Sequence, residues 1–413
     1  YLGLGLVFEY ALDIYKGFYK MSVVTAFLAA ILVACLQDRG RSFDEKLELM
    51  GQGVGDKNII TMLLIFLTAG TFVGVVGRES ARSVAWFLLD LIPAKYAVAV
   101  LFVVACFVST AMGTSVGTIT LLVPIAMEVS AAAGFVDELC VASVIGGAMF
   151  GDNLSFISDT TIAATRTQGC AMRDKFKVNF RIVLPAALVV LSYYIYRGMG
   201  MDVPTETYPI EWVKVIPYLV VLATAFMGFN VALVLLLGII ATGTVGLCTG
   251  SISFFDWFGS LGSGINGMGE LIIITLMAGG MLELIRFNGG VDYIIKILTR
   301  KINGKKGAEM CIGALVGIAN ICTANNTIAI ITVGPLANDI ATKYGVDKRK
   351  SASILDTFSC VIQGVIPYGA QMLMAAKLAS ISPISIIEYL YYPIGILIMA
   401  MFSILARWPK KYS

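Results

Sequence analysis

Residues 151–161 read Gly-Asp-Asn-Leu-Ser-Phe-Ile-Ser-Asp-Thr-Thr and interrupt an apolar segment that extends from about Leu139 to Ala164. The stretch holds two carboxylates, Asp152 and Asp159, among hydroxyl and amide side chains. A charged side chain in the hydrocarbon core of a bilayer costs several kcal/mol, and such residues usually mark substrate or ion pathways. If the flanking segment spans a membrane, this stretch predicts a functional site inside it.

The composition supports a membrane location. Of the 413 residues, 58% are hydrophobic and 14% are charged, whereas soluble domains carry about 25% charged residues. A helix needs about 20 apolar residues to cross the hydrocarbon core. Runs near that length occur at 21–36, 59–77, 182–196, 231–249 and 384–406. We therefore predict an all-α polytopic protein, multi-pass and integral to the plasma (inner) membrane.

Several function classes lack their signatures in this sequence. There is no Walker A motif that would indicate ATP hydrolysis, and the eight cysteines have no metal-ligand spacing. Histidine is absent, so the proton carrier of a proton-coupled protein would be a buried carboxylate. We expect no enzymatic activity, no cofactor and no nucleic-acid partner.

The chain contains two similar halves, offset by about 210 residues. Met112-Gly-Thr-Ser-Val resembles Cys322-Thr-Ala-Asn-Asn, and a proline and then a glycine follow at similar distances in both copies. We predict a first repeat at 1–197, an extracytoplasmic linker at 198–212 and a second repeat at 213–413. Because the sequence begins with Tyr1, we expect part of the natural N-terminus to lie upstream.

Charge indicates that the two copies have opposite orientations. The loop 166–181 is basic and its counterpart near 381–384 is uncharged, whereas 134–139 is acidic and its counterpart 343–350 is basic. The basic loop 39–46 likewise corresponds to an uncharged 260–267. Since basic loops stay in the cytoplasm, this alternation predicts inverted-topology repeats. Arg78, Arg82 and Lys95 fit less well, because they fall on the predicted outer side.

About 11–13 membrane segments follow from this arrangement. The two shorter segments 82–93 and 290–301 are predicted to be helices that lie in the plane of the membrane interface. The predicted crossings are 20–36, 59–77, a pair at 98–133, a broken one at 140–165, 182–197, 213–228, 231–249, 270–286, a pair at 308–342, a broken one at 351–380, and 384–406.

Four polar interruptions, at 110–118, 151–161, 323–327 and 356–371, are paired across the repeat. Irregular backbone inside a membrane is tolerated where protein or a water-filled cavity surrounds it. Hydroxyls, amides and freed carbonyls there supply the oxygen ligands that Na⁺ prefers. The candidate ion- or substrate-binding residues are Thr114, Ser115, Asp152, Asn153, Ser155, Asp159, Thr160, Thr161, Asn325, Asn326, Thr327, Asp356 and Gln363, with Asp152 and Asp159 as Na⁺ ligands.

Each candidate has a structural alternative. Asp159 follows Ser158 in a sequence typical of a helix N-cap, and the polar residues of 323–327 could hydrogen-bond neighbouring helices. Asp356 is either a deep ligand or a half-solvated acid near the basic loop 343–350. The role of Glu128 stays open. For Glu283, Glu309, Asp339 and Glu388, interfacial charge or local pairing is the simpler interpretation.

The stretch 151–161 closely resembles the signature of the NhaC-type Na⁺/H⁺ antiporter family, which belongs to a larger group of ion transporters built from inverted repeats. One departure is Phe156, where the family usually has proline. The resemblance implies that Asp152, Asn153, Asp159 and Thr160 handle ions. The family also includes exchangers of small organic acids and relatives suspected of handling amino acids.

Two hypotheses follow. In the first, the protein exchanges Na⁺ for H⁺, and the two ions compete for Asp152. In the second, it couples Na⁺ or H⁺ to a small carboxylate or an amino acid, which half-helix N-termini could bind. A channel or a membrane scaffold is disfavoured by the mirrored interruptions. The lipid bilayer is the surrounding partner, and a homodimer is one oligomeric state to consider.

Overall fold

The computed structural model describes residues 22–37, 40–199, 210–299 and 302–412. In these residues the secondary structure is helical, and no strand is present. The α-helices are α1 Val23–Gln37, α2 Phe43–Val54, α3 Lys57–Leu91, α4 Ala97–Met112, α5 Ser115–Ala133, α6 Asp137–Leu154, α7 Asp159–Gln168, α8 Met172–Gly198, α9 Trp212–Phe226, α10 Val231–Thr249, α11 Phe254–Gly267, α12 Gly269–Phe287, α13 Gly290–Thr299, α14 Gly304–Thr323, α15 Asn326–Tyr344, α16 Lys348–Val365, α17 Ala370–Ala379, α18 Pro383–Ile387 and α19 Tyr391–Leu405.

The helices have the lengths and composition of a membrane protein. Among the described residues, seven segments are long and apolar enough to cross a bilayer, and the number is eight if the bent pair α11 and α12 is one span. Two of the seven, Asp137–Gln168 and Lys348–Ala379, are broken spans. The shorter helices α1, α9 and α19 are also apolar. The protein is an integral, multi-pass membrane protein.

The repeat predicted from the sequence is visible in the backbone, at an offset of 211 residues between Gly134 and Gly345. Helices α4 to α7 correspond in order to α14 to α17, and the last three of each set have equal lengths. Gly134 ends α5 with φ 73° and Gly345 ends α15 with φ 69°. This left-handed conformation favours glycine, which has no Cβ to clash. The same helix ends thus recur in both copies.

Hydrogen bonds also recur at this offset. Ser109 Oγ donates to Ala148 O at 2.7 Å, and Asn320 Nδ2 donates to Ser359 O at 2.7 Å. Packing between the copies is reciprocal, since α7 contacts α15 and α17 contacts α5. Such an exchange is expected for inverted-topology repeats related by a pseudo-two-fold axis.

The chain forms two compact units. The first contains the described residues up to Phe66 together with Met268–Ile297, and the second contains Leu67–Gly267 together with the described residues from Leu298 onward. The repeat boundaries at 197 and 213 stay a prediction. Most of the linker 198–212, including its two prolines, lies outside the described residues.

Small residues allow close helix packing in each unit. In the first unit, a Cβ on Gly53 would lie 2.3 Å from Gly279 O. In the second, a Cβ on Gly147 would lie 2.5 Å from Ala105 Cβ, and one on Gly151 would lie 2.2 Å from Ser109 Cβ. Small residues four apart permit such approach in membrane helices. Helix α6 therefore packs closely along α4 near the stretch 151–161.

Several predicted loops are helical. Residues 43–54 form α2, which begins with a capping box between Ser42 and Glu45, so the segment 39–46 is largely a helix start, with Arg39 outside the described residues. Its counterpart 260–267 lies within α11. The two segments predicted as interfacial helices are helical: 82–91 continues α3 beyond a kink at Gly77, and 290–299 is α13. Their position in the membrane interface stays a prediction.

Candidate functional site

The break in the first repeat is shorter than the sequence indicated. Helix α6 continues to Leu154 and α7 begins at Asp159, so the irregular backbone is confined to 155–158. Asp152 and Asn153 therefore lie in the last turn of α6. At the C-terminus of a helix, the last carbonyls lack partners within the helix. These carbonyls are available to side chains from other segments.

The break in the second repeat is likewise confined to 366–369, which includes Pro367. Asp356 was predicted to lie in this interruption, and that placement is wrong, because Asp356 is inside α16. At the offset of 211 residues, Gln363 corresponds to Asp152, and Asp356 corresponds to Ile145. The two repeats thus contribute carboxylates from different positions.

Asp152 is buried, with 4% of its surface exposed. Ser115, the first residue of α5, donates from Oγ to Asp152 Oδ2 at 2.6 Å. Helix α5 can begin there because the Thr114 side chain caps it by accepting from Gly117 N. A charge-assisted bond of this kind is stronger than a neutral one. The start of α5 therefore orients the Asp152 carboxylate.

A chain of hydrogen bonds connects Asp152 to the second repeat. Gln371 Nε2 donates to Ser115 Oγ at 3.0 Å, and Gln363 Nε2 donates to Gln371 Oε1 at 2.6 Å. Gln363 Nε2 also donates to Ala324 O at 3.0 Å. All four interruptions are thereby connected across the repeat, the one at 323–327 through the backbone oxygen of Ala324. Gln363 Oε1 is buried and has no hydrogen-bond partner among the described residues.

A second buried cluster surrounds Asp356. Lys175 Nζ lies 2.7 Å from Asp356 Oδ2, and both side chains are almost fully buried. Asn179 Nδ2 donates to the same oxygen at 2.7 Å and to Asn153 O at 2.9 Å. Lys175 Nζ also donates to Asn153 O at 2.9 Å and to Thr161 Oγ1 at 2.7 Å. The cluster thus bonds to one of the free carbonyls at the end of α6.

Two sequence interpretations need correction at this cluster. Asp356 is fully buried, so the alternative of a half-solvated acid is wrong. Lys175 was counted among the charges of a cytoplasmic loop, but α8 begins at Met172 and its first turn buries Lys175. Lys350, assigned to the basic loop 343–350, is also buried and donates to Trp408 O at 2.8 Å.

Several of the remaining predicted site residues lie at the starts of helices. Asn325 caps α15 by accepting from Ile328 N at 2.9 Å, as Thr114 caps α5. Asn326 and Thr327 are the first two residues of α15. Asp159 is the first residue of α7, follows the N-cap Ser158 and is exposed. Several candidate site residues therefore also have a structural role at a helix N-terminus.

The hydroxyls of the first break form local bonds. Ser155 Oγ accepts from Ile157 N at 3.2 Å, and the hydroxyls of Ser158 and Thr160 are 2.7 Å apart. Phe156 lies in the break, where its ring stacks on Phe176 of α8 with centroids 4.7 Å apart. This stack places an aromatic contact at the position where NhaC-type antiporters usually have proline.

Two of the acids whose roles the sequence left open or structural have ion-pair partners among the described residues. Glu128, whose role was open, accepts from Arg82 Nε at 3.1 Å. Glu283 lies 3.6 Å from Arg286 one helical turn away, a local pairing. Glu309 is buried.

The sequence interpretation missed Lys175, Asn179 and Gln371 as site residues. Lys175 and Asn179 are four residues apart, and this spacing places both on one face of a helix. A lysine and an asparagine on the same helical face could have been a signal. Gln371 lies at the edge of a predicted interruption, and its partner Ser115 is 256 residues away.

Comparison with known proteins identifies the family. A family model described as "Na+/H+ antiporter family" matches residues 3–199 and 207–408. The chain belongs to this family. Membership confirms the resemblance to NhaC-type antiporters and, with the membrane spans, makes this protein a secondary active transporter.

Individual relatives are distant but cover most of the chain. The Na⁺/H⁺ antiporter NhaC of Bacillus subtilis (strain 168) is 24% identical over 399 residues, which are 86% of this chain and 86% of that antiporter. The malate-2H⁺/Na⁺-lactate antiporter of the same organism is 19% identical over 376 residues, which are 82% of this chain and 79% of that antiporter. Among solved structures, the Alcanivorax borkumensis YdaH transporter has a TM-score of 0.47 and 12% identity, covering 94% of this chain and 99% of that one.

Proposed function

We propose that this family member exchanges Na⁺ for H⁺ and that Asp152 is the carboxylate for which the two ions compete. The observation that supports this assignment is the position of Asp152, buried in the last turn of a half-helix next to a membrane break. A buried ionised carboxylate needs compensation by a cation, a proton or hydrogen bonds. Ser115 supplies one hydrogen bond, and either Na⁺ or H⁺ would supply the remaining positive charge.

The other candidate residues support this role to different extents. Asn153 Oδ1 and Gln363 Oε1 are buried oxygens without a hydrogen-bond partner among the described residues, and such oxygens suit a hard cation. Asp159 is exposed at the start of α7. We therefore assign the exchange of ions to Asp152 and a supporting role to Asp159.

The proposal can be tested in proteoliposomes that contain the purified protein and an internal pH-sensitive dye. An imposed Na⁺ gradient should drive proton movement in the wild type, and Asp152→Asn should reduce it to the level of empty liposomes. Glu138→Gln is a matched control, because Glu138 lies in the first turn of the same helix. Sodium-driven proton movement in Asp152→Asn at the wild-type rate would refute the assignment.

A second candidate function, coupled transport of a small carboxylate or an amino acid, is favoured by one feature of the half-helices. In the part of the chain that the structure describes, the N-termini of α7 and α17 have no side-chain cap, whereas Thr114 and Asn325 cap α5 and α15. Free backbone N–H groups at a helix N-terminus bind carboxylates. The B. subtilis relative named as a malate-2H⁺/Na⁺-lactate antiporter supports the same class of cargo.

Uptake of labelled malate, lactate and arginine by the same proteoliposomes distinguishes the two functions. Under an inward Na⁺ gradient, accumulation of one of these solutes above the level of empty liposomes would favour the second function. Proton movement driven by Na⁺ alone, with none of the three solutes accumulated, supports simple Na⁺/H⁺ exchange.

A further inference from the structure

The ammonium group of Lys175 has the surroundings of a bound cation. Its three N–H donors match three oxygens: Asp356 Oδ2 at 2.7 Å, Thr161 Oγ1 at 2.7 Å and Asn153 O at 2.9 Å. An ammonium group has three donors and no acceptor, so its hydrogen-bonding capacity is satisfied. The oxygens are a carboxylate, a hydroxyl and a backbone carbonyl, the three ligand types that hard cations also use.

This position adjoins the proposed ion site. Asn153, whose main-chain oxygen accepts from Lys175, directly follows Asp152 in the last turn of α6. The residues of this cluster also carry buried oxygens that accept no hydrogen bond within the described part of the chain. Asp356 Oδ1, Asn179 Oδ1 and Asn153 Oδ1 are buried and have no hydrogen-bond partner among the residues described.

The corresponding positions in the other copy of the repeat show that helix packing here does not require an ion pair. At the offset of 211 residues, Lys175 corresponds to Ile386, Asn179 to Leu390 and Asp356 to Ile145. All three counterparts are buried apolar residues. Replacing a buried ion pair by apolar groups is often neutral for stability. The charged cluster in one repeat therefore calls for a reason other than packing.

We propose that Lys175 is a tethered cation that permanently occupies a second cation position, formed by Asp356, Thr161 and Asn153 O, and thereby limits the site to one exchangeable cation at Asp152. This inference rests on the proposed function. It assigns to Lys175 the control of how many ions the transporter carries.

The charge balance of the buried groups explains how Lys175 would limit the number of bound ions. With Asp152 and Asp356 ionised and Lys175 protonated, the buried groups sum to one negative charge. One Na⁺ or one H⁺ makes the sum zero, and a neutral site crosses a medium of low dielectric constant at lower cost than a charged one. Without the lysine charge, the same carboxylates sum to two negative charges and require two cations.

The test counts bound ions directly. Equilibrium binding of ²²Na⁺ to the full-length protein in detergent should give one ion per chain in the wild type and two in Lys175→Met, with a Hill coefficient that rises above one. Lys175→Gln keeps a donor for Asn153 O and Thr161 Oγ1 without the charge, and it should also bind two. The double variant Lys175→Met/Asp356→Asn removes both charges and should return to one.

Asp356→Asn provides an independent test if the Lys175 variants do not fold. It removes the carboxylate charge that balances Lys175, so the lysine charge balances Asp152 instead, the empty site is already neutral and Na⁺ binding should be lost. One bound ion in a folded Lys175→Met or Lys175→Gln, or Na⁺ binding by Asp356→Asn with wild-type affinity, would overturn the tethered-cation proposal. A wild type that binds no Na⁺ would instead refute the proposed function.

Discussion

Gln371 donates from Nε2 to Ser115 Oγ at 3.0 Å, although the two residues are 256 positions apart and belong to different repeats. The N–H of the Gln371 amide occupies a lone pair of the Ser115 hydroxyl oxygen. The Ser115 hydroxyl therefore directs its only hydrogen to Asp152 Oδ2, 2.6 Å away. Gln371 is fixed in turn, because its Oε1 accepts from Gln363 Nε2. The second repeat thereby determines which way the Ser115 hydroxyl points.

The first prediction concerns this hydroxyl. Ser115→Ala removes a hydrogen bond that stabilises the ionised Asp152 carboxylate, the form proposed to bind Na⁺. Hydrogen bonds to charged groups contribute about 1.5–3 kcal/mol, so the Na⁺ concentration for half-maximal exchange should rise about 10- to 100-fold. The measurement is the Na⁺ dependence of dye dequenching in proteoliposomes.

Thr120→Val is the matched control for Ser115→Ala. Thr120 lies in the same helix and is buried, but its hydroxyl donates to Val116 O rather than to a carboxylate. Thr120→Val should leave the Na⁺ dependence close to that of the wild type. An equal effect of the two substitutions would mean that Ser115 acts through helix packing and not through Asp152.

The second prediction separates the two acids of the stretch 151–161. Asp159 is exposed at the first position of α7, where a carboxylate contributes about 0.3–1 kcal/mol through the helix dipole. Asp159→Asn should therefore change the half-saturating Na⁺ concentration by less than about fivefold, while Asp152→Asn abolishes exchange. Both variants are compared in one flux assay at matched protein density. Complete loss of exchange in a folded Asp159→Asn would place the ion between the two acids instead.

Much of the helical order could be predicted because hydrophobic length is a strong signal in membranes. The predicted crossing 231–249 coincides with α10, and the pair 98–133 matches α4 and α5. Helix α2 was missed, because a run with four charged residues among Phe43–Val54 resembles a loop in a hydropathy profile. Its capping box, Ser42 with Glu45, is a local signal that could have revealed the helix.

The site was only half predictable, for a physical reason. Asp152 is recognisable in the sequence as a site residue because apolar residues of the same segment flank it on both sides. Lys175 is not, because the partner that makes its burial tolerable, Asp356, is far along the chain in α16. A charge count treats such a lysine as a loop residue, since the basic residues around it in the sequence give no sign of a buried partner.

The third prediction concerns the packing of α6 against α4. A Cβ at position 151 would lie 2.2 Å from Ser109 Cβ and 2.5 Å from Thr110 N, and backbone cannot move aside easily. Gly151→Ala should therefore destabilise the protein by about 1–3 kcal/mol, the usual cost of overpacking, and lower its thermal midpoint in detergent. Because Asp152 is the next residue, exchange by the folded fraction should fall as well.

Gly262→Ala serves as the control for that substitution. Nothing lies within 4 Å of a Cβ at Gly262 in α11, so alanine there should be neutral or stabilising, by up to about 1 kcal/mol. The thermal midpoints of both variants are measured by fluorescence under identical conditions. If Gly151→Ala melts at the wild-type temperature, the contact between α4 and α6 is looser than the structure shows.

The last prediction is a pH dependence outside the membrane spans. Asp347 caps α16 by accepting from Arg349 N at 2.8 Å, and its Oδ2 lies 2.6 Å from Arg349 Nη2. The hydrogen bond from the Arg349 side chain lowers the pKa of Asp347 below its usual 3.8. A lowered pKa in the folded state means that the ionised form stabilises the fold above about pH 4, and that this contribution is lost as the pH falls through the folded-state value.

Asp347→Asn removes the charge and keeps an oxygen acceptor for the cap. At neutral pH it should lower the free energy of unfolding by no more than about 1 kcal/mol, because the pair is partly exposed and screened by solvent. The difference in thermal midpoint from the wild type should shrink as the pH is lowered below about 4, because the carboxyl of the unfolded wild type is then protonated and that of the folded state follows at lower pH. Asp174→Asn, which breaks the more exposed contact to Lys177 at 3.5 Å, should have a smaller effect at neutral pH. A difference between Asp347→Asn and the wild type that stays constant down to about pH 3 would show that the stabilisation comes from the cap geometry and not from the charge.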